Sequence, residues 1–245
     1  MDRVTHQISA SDGVTVSLDL YRHGSRDTVL VICPGFFKSK ETATFQRMSC
    51  ALANERDVLC MDFRGHGRSG GWYTFSAKED ADLAAVLSWA HQRYRRIGVL
   101  GFSLGAAVAI NTVSRRPDRI QGLIAVSAPS AFERIEFKWW TREAIYRGLQ
   151  GLEPGTGCRP GNLFLHKERP SENVQRLTDV PVLFVHGTRD VIVGARHSHE
   201  LYAAASEPKR LEIIEGGSHA EALFRDEPEQ FLRLVTGWCR QTLGG

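Results

Sequence analysis

A mostly parallel β-sheet with helices on both faces, an α/β architecture in one domain, is what this 245-residue sequence predicts. Three observations carry that reading. Apolar runs such as the continuous, β-branched Thr28 to Cys33 and the buried-type Ile120 to Val126 have the pattern of strands covered on both faces. Between such runs, apolar residues recur at helical spacing. The length suits one α/β domain with a large core, and no internal repeat or low-complexity stretch divides it.

Taken in order, Val4 to Ile8 and Val14 to Leu20 alternate apolar and polar around Ser11-Asp12-Gly13, which reads as a hairpin of half-exposed strands. The Thr28 to Cys33 strand stops at Pro34-Gly35, and Phe45, Met48 and Leu52 then share one helical face. Val58 to Met61 is a short strand ending at Asp62. Ser76-Ala77-Lys78-Glu79 has the form of a capping box, opening a helix through Leu83, Val86, Leu87, Ala90 and Tyr94. The apolar run from Ile97 is the central strand, which breaks at Gly101 and restarts after Ser103 as a helix that Pro117 ends, and Ile120 to Val126 is another buried strand. Regularity lapses over 128–178, which is read as a lid or cap insertion within the single domain 1–245. It contains a helix-like piece with Trp139, Trp140 and Tyr146. Alternation resumes with Val182 to Val185, a helix near Ala195 to Ala205, and Leu211 to Ile214. The closing helix opens at Asp226-Glu227-Pro228-Glu229 and carries Phe231, Leu234, Val235 and Trp238 on one side.

Composition narrows the function classes. With 31 basic and 28 acidic residues the net charge is +3, which gives no case for nucleic acid or an anionic membrane as partner. Cys33, Cys50, Cys60, Cys158 and Cys239 are odd in number, widely spaced and without a C-x-x-C pair, so free thiols in a reducing compartment are expected. Met1 to His6 lacks an apolar leader and no run of 18 apolar residues occurs, so the expectation is a soluble, cytoplasmic protein.

The chemistry concentrates at Gly101-Phe102-Ser103-Leu104-Gly105, a G-x-S-x-G at the end of an apolar strand and the start of an alanine-rich helix. A serine on so sharp a turn stands above the sheet in a strained conformation, and side chains at 101 and 105 would collide with each other or with the neighbouring strand. The first free helical N–H groups, beginning with Leu104, then point at whatever the serine attacks. Ligands of open parallel sheets bind beyond the carboxyl ends of the strands. Two further polar groups sit at such ends: Asp190, after His186-Gly187-Thr188-Arg189, and His219, after Glu215-Gly216-Gly217-Ser218.

These segments, with Cys33-Pro34-Gly35-Phe36 and Asp62-Phe63-Arg64-Gly65-His66-Gly67-Arg68-Ser69, resemble the α/β-hydrolase superfamily over almost the whole chain. The nearest likeness is to small bacterial esterase-like and acyl-peptidase-like serine hydrolases. The resemblance implies an eight-stranded sheet, a lid from 128–178, and Ser103, Asp190 and His219 as a catalytic triad in the order Ser, Asp, His. It implies cleavage of a carboxylic ester, thioester or amide through an acyl-enzyme, with a small-molecule acyl substrate and no cofactor. His219 would take the Ser103 proton and return it to the leaving group, and Asp190 would orient the imidazole. Leu104 N–H and Phe36 N–H would hold the oxyanion, Gly35 allowing the close approach of the second. Family members often carry histidine where Pro34 stands, a departure that concerns the loop's outer contacts and not its backbone donor.

Each assignment has a plainer rival. Asp190 could be a turn residue and His219 a solvated loop histidine. Asp62 and Glu133 are competing acids, Asp62 being better suited to shaping the loop that follows it. His66 and His186 sit in glycine turns and are expected to bond locally. His186, His197 and His199 lack the spacing or partners of a metal site, so no metal is assigned. Trp139 and Trp140 are candidate substrate contacts, with lid core as the alternative. Acyl transfer and perhydrolysis would use the same triad, and a non-catalytic small-molecule binder of the same fold is the reading from another class.

Overall fold

The expected strands form one eight-stranded sheet in the computed structural model, which describes residues 1–24, 26–115, 120–136 and 152–244. They are β1 Asp2–Ser9, β2 Thr15–Arg22, β3 Thr28–Cys33, β4 Asp57–Met61, β5 Arg96–Phe102, β6 Gly122–Val126, β7 Val182–Gly187 and β8 Lys209–Ile214. Their order across the sheet is β1-β2-β4-β3-β5-β6-β7-β8. Only the β1–β2 hairpin and the β2–β4 pair are antiparallel; from β4 to β8 every neighbour is parallel.

Side-chain alternation along the strands splits the core in two. Val29, Val31, Val99, Leu123 and Phe184 face helices α2 (Glu79–His91) and α3 (Leu104–Val113). Leu30, Ile32, Leu100, Ile124 and Leu183 face the opposite layer. There they meet Phe45, Met48 and Leu52 of α1 (Ala43–Leu52). Phe231, Val235 and Trp238 from the chain's closing helix complete that layer. Both faces of the central strands are therefore dry, which is why those strands read as apolar runs. After β6 come a short turn at Phe132–Arg134, α4 (Pro170–Asn173) and a second turn at Val174–Arg176. The last helices are α5 (Arg196–Ala204), α6 (Ala222–Asp226) and α7 (Pro228–Leu243), with Pro228 in the first turn of α7. Trp139, Trp140 and Pro117 lie outside the described residues.

One local expectation is corrected. Helix α2 begins at Glu79 with Lys78 at its cap and no side-chain cap bond, so Ser76 does not close a capping box. Ser76 instead has φ 77° and a buried hydroxyl without a partner among the described residues. The Glu79 carboxylate turns to Thr74, accepting its N–H at 2.7 Å and its hydroxyl at 2.9 Å, while Thr74 Oγ1 accepts Lys78 N–H at 3.0 Å. Thr74 and Glu79 are both buried, and an unsatisfied amide there would cost more than a missing cap.

Parallel register sets the strand ends side by side. Cys33 pairs with Gly101, Phe102 with Val126, Val126 with Val185, and Gly187 with Ile214. The loops that leave β3, β5, β7 and β8 thus emerge along one rim, and they carry Phe36, Ser103, Asp190 and His219. No helix among the described residues is long and apolar enough to cross a membrane.

Candidate active site

Ser103 occupies a backbone conformation that L side chains rarely adopt, φ 51° and ψ −118°. Three bonds hold the turn: its N–H donates to Val126 O at 2.8 Å, and its carbonyl accepts Ala106 N–H at 3.0 Å and Ala107 N–H at 3.1 Å. Glycine is obligatory on either side. A Cβ at Gly101 would lie 2.5 Å from Ala106 Cα, and one at Gly105 would overlap the carbonyl oxygens of Cys33 and Pro34. Because the obstacles at Gly105 are backbone atoms of a central strand, Gly105→Ala is expected to lower unfolding stability by about 1–3 kcal/mol, measured by chemical denaturation.

Ser103 Oγ lies 2.9 Å from His219 Nε2, and His219 Nδ1 lies 2.7 Å from Asp190 Oδ2. A carboxylate only accepts, so the neutral imidazole carries its proton on Nδ1 and leaves Nε2 free to accept from the serine. Asp190 Oδ1 accepts the backbone N–H groups of Ile192 at 3.0 Å and Val193 at 2.9 Å. Burial works to raise the Asp190 pKa, but the His219 imidazole and the bonds from His186 and His219 overcome it and hold the carboxyl well below the usual carboxylate range. For His219, burial works to lower the pKa; the Asp190 charge, their hydrogen bond and the nearby Glu221 charge outweigh it, and the value is raised above 6.5.

Backbone contact brings these loops together. A Cβ at Gly187 would overlap the Gly217 carbonyl, and Arg189 N–H donates to Gly217 O at 2.9 Å. Ala220 N–H donates to Ser127 Oγ at 3.0 Å, tying the histidine loop to the end of β6. Across the rim, a Cβ at Gly35 would stand 3.2 Å from Ser103 Cβ, which sets the start of the Phe36 loop against the serine. Leu104 opens α3, so its N–H is among the first-turn amides with no acceptor inside the helix.

Residues 30–234 match the family model described as "Alpha/beta hydrolase family". The chain belongs to the alpha/beta hydrolase family. Among curated relatives of this alpha/beta hydrolase, the uncharacterized protein YfhR of Escherichia coli K12 is 29% identical over 171 residues, covering 68% of this chain and 54% of that protein. YfhR of Salmonella typhi is 35% identical over 204 residues, covering 74% and 64%. The chain therefore spans between about half and two thirds of the length of these relatives. In fold it is similar to the esterase Pf2001 of Pyrococcus furiosus, with a TM-score of 0.79 and 24% identity over 99% of this chain and 93% of that one.

Two histidines of this alpha/beta hydrolase buttress the site, His186 through local bonds and His66 through a bond to a distant loop. His186 is buried at the end of β7, and its Nε2 lies 2.7 Å from Val193 O and 3.1 Å from Asp190 Oδ2. Both partners accept, so Nε2 carries the proton, and Nδ1 accepts from Ser198 Oγ at 2.6 Å. Asp190 Oδ2 is thus shared by two imidazoles, an arrangement signalled in the sequence only by the His186-to-Asp190 spacing. His66 bonds across to the Phe36 loop.

The rival groups are occupied elsewhere. Asp62 is buried and accepts N–H groups from Lys40 at 2.7 Å and Arg68 at 2.9 Å, while burial pushes its pKa up to about 6. Glu133 pairs with Arg169 at 2.6 Å. Burial raises the Cys33 thiol far above its ordinary value, and all five cysteines are free. His197 accepts from Ser130 N–H at 3.1 Å, and His199 is exposed, so neither joins His186.

A chain of aromatic rings leads away from the serine. Phe36 stacks on Tyr73 at 5.3 Å and meets Phe75 at 6.1 Å, and Phe75 meets Phe132 at 6.0 Å. Phe75 and Phe132 then line a cleft of about 890 Å³ with Leu163 and Lys167 on its walls. The described lining of that cleft does not include Ser103.

Proposed function

We propose that this alpha/beta hydrolase cleaves a carboxylic ester through an acyl-enzyme, with Ser103, His219 and Asp190 as the catalytic groups. The observation that carries the reading is the unbroken relay from Ser103 Oγ through His219 to Asp190, at 2.9 and 2.7 Å, built from three separate strand ends. Family membership supports a hydrolase.

A serine hydroxyl is a poor nucleophile at neutral pH, so His219 Nε2 takes its proton as Oγ bonds to the carbonyl carbon. The carbonyl electrons move onto oxygen, where Leu104 N–H and Phe36 N–H receive the negative charge. Collapse of that intermediate breaks the bond to the alcohol, which leaves with the proton from His219. Water then repeats the sequence on the acyl-enzyme, returning Ser103 and releasing the acid. Asp190 stays ionised throughout and stabilises the imidazolium. The Phe36, Phe75 and Phe132 rings supply apolar surface for the organic part of the substrate.

The test is labelling with a fluorophosphonate and mapping the adduct. It should sit on Ser103 and be absent from Ser103→Ala, and p-nitrophenyl esters from acetate to palmitate should be turned over. A folded protein that stays unlabelled and hydrolyses none of them would overturn the proposal. Thioester and amide panels run beside the esters fix the leaving group.

The pH profile follows from the raised His219 pKa. The imidazolium has no lone pair to accept the serine proton, so the protonated fraction is inactive. Because the pKa is raised, that form persists to higher pH than in a free histidine. The value of kcat/KM is therefore expected to fall as pH drops, through a midpoint higher than a free histidine would give. A flat profile down to about pH 5 would contradict the assignment of the base.

A further inference from the structure

We infer that His66 is a positioning residue for the Phe36 amide, its Nε2 serving as the fixed acceptor that holds the loop carrying that donor against Ser103. This rests on the proposed role of Phe36 N–H at the oxyanion.

The Gly35-Phe36-Phe37-Lys38 loop has three N–H groups after its glycine, and two are spent. Lys38 N–H closes a turn onto Gly35 O at 3.3 Å, and Phe37 N–H donates to His66 Nε2 at 3.2 Å. Among the described residues the Phe36 N–H has no acceptor. Phe37 stands at φ 67°, a conformation unfavourable for a phenylalanine that needs outside support. The support comes from both sides of Phe37: His66 takes its N–H, and Gly157 N–H donates to its carbonyl at 2.9 Å. One end of the loop is therefore set by Gly35 packing on Phe102 O and Ser103 Cβ, and the other by His66. The peptide plane between them, which carries the Phe36 N–H, is constrained from both directions.

The histidine is itself held in one state. Its Nδ1 lies 3.1 Å from Arg64 O, a carbonyl that can only accept, so Nδ1 carries the proton and Nε2 presents a lone pair to Phe37. Arg64 is immobilised in turn, with its N–H and guanidinium bonded to Asp82 and its guanidinium also to Asp12. Tyr73 meets the His66 ring edge-on at 4.7 Å, and the backbone at Cys158 bridges to His66. Burial, with a smaller push from Arg159 and against the pull of the Arg64 carbonyl bond, lowers the His66 pKa to about 4. The imidazole thus remains a neutral acceptor at neutral pH.

Three substitutions separate positioning from mere packing. In His66→Gln the amide oxygen reaches the place of Nε2, preserving the acceptor and giving up the bond to Arg64 O. In His66→Asn the shorter amide preserves the Arg64 bond and loses the acceptor. His66→Leu loses both. Asn and Leu are expected to lower kcat by roughly 10- to 100-fold with KM nearly unchanged, while Gln stays within about 3-fold of the parent. Binding of a trifluoromethyl ketone, whose adduct with Ser103 carries the same oxyanion, should weaken by the factor lost from kcat/KM.

Equal behaviour of the Asn and Gln variants, or an effect on KM alone, would overturn the inference. Thermal unfolding of each variant shows whether it folds. An independent reading needs no variant: nitrogen NMR of the parent protein should find His66 protonated on Nδ1 and not titrating between about pH 5 and 8. A proton on Nε2 would overturn the inference by itself. If Ser103→Ala remains active, the parent proposal fails; if Ser103→Ala is inactive and the His66→Asn variant is unimpaired, only this inference does.

Discussion

Ser103→Ala is expected to lower ester turnover by on the order of 10⁴- to 10⁶-fold while leaving the fold intact. In the proposed mechanism the lost atom is the one that bonds to carbon, and no described side chain of the site stands in its place. Cys33 ends the adjacent strand, but its thiol is fully buried and held protonated, and the hydroxyl seated on His219 Nε2 is that of Ser103 itself. Residual hydrolysis should come from the amides of Leu104 and Phe36 and from binding alone, and should proceed without a covalent acyl-enzyme. Progress curves with p-nitrophenyl acetate and mass spectrometry of the trapped protein check both points. The substitution relieves none of the glycine constraints at 101 and 105, so the elbow should persist and thermal unfolding should change little. Turnover of the alanine variant within a factor of about ten of the parent would remove Ser103 from the chemistry.

Asp190→Asn should cost on the order of 10⁴-fold in kcat near neutral pH, for a reason specific to the bonds at this carboxylate. An amide side chain has one accepting atom where the carboxylate has two. Oδ1 faces two backbone donors, Ile192 and Val193, whose positions are set by the loop. The oxygen of the introduced amide must stay there, which turns its NH₂ toward His219 Nδ1 and His186 Nε2. His219 is then driven to the other tautomer, with its proton on Nε2 pointing at Ser103, and it cannot accept the serine proton. The His186 N–H meets a donor as well and keeps only Val193 O. Loss of kcat should be accompanied by slow fluorophosphonate labelling, and nitrogen NMR of the imidazoles should report the tautomer directly. Retention of Nδ1–H on His219 in this variant would refute the derivation even if activity fell.

Legibility in the sequence followed the range of the forces involved. Strands β3 to β7 were readable because both faces of the sheet are covered and each central position is apolar, whichever way its side chain points. The elbow was readable because steric exclusion at Gly101 and Gly105 leaves glycine as the residue that fits. The capping box at Ser76 misled for the opposite reason. A four-residue pattern signals a cap when the cap faces solvent, but here Glu79 is buried and satisfies Thr74 instead. The local bonding expected of His186 is what the structure shows, with Asp190, Val193 and Ser198 as its partners, whereas that expected of His66 was incomplete, since its turn also faces the loop at Phe37.

From the sequence alone came the sheet class, the order of its elements and the three strand-end residues proposed for catalysis, because hydrophobic periodicity and turn chemistry are short-range properties of the chain. Only the tertiary structure decided which atoms meet across loops: Ser103 Oγ with His219 Nε2, His219 Nδ1 with Asp190, and His66 with the Phe37 amide. Those contacts depend on parallel register, which lines up the carboxyl ends of β3 to β8 along one rim. A hydrogen bond between two such loops is fixed within a few tenths of an ångström by that alignment. No spacing along the chain encodes it.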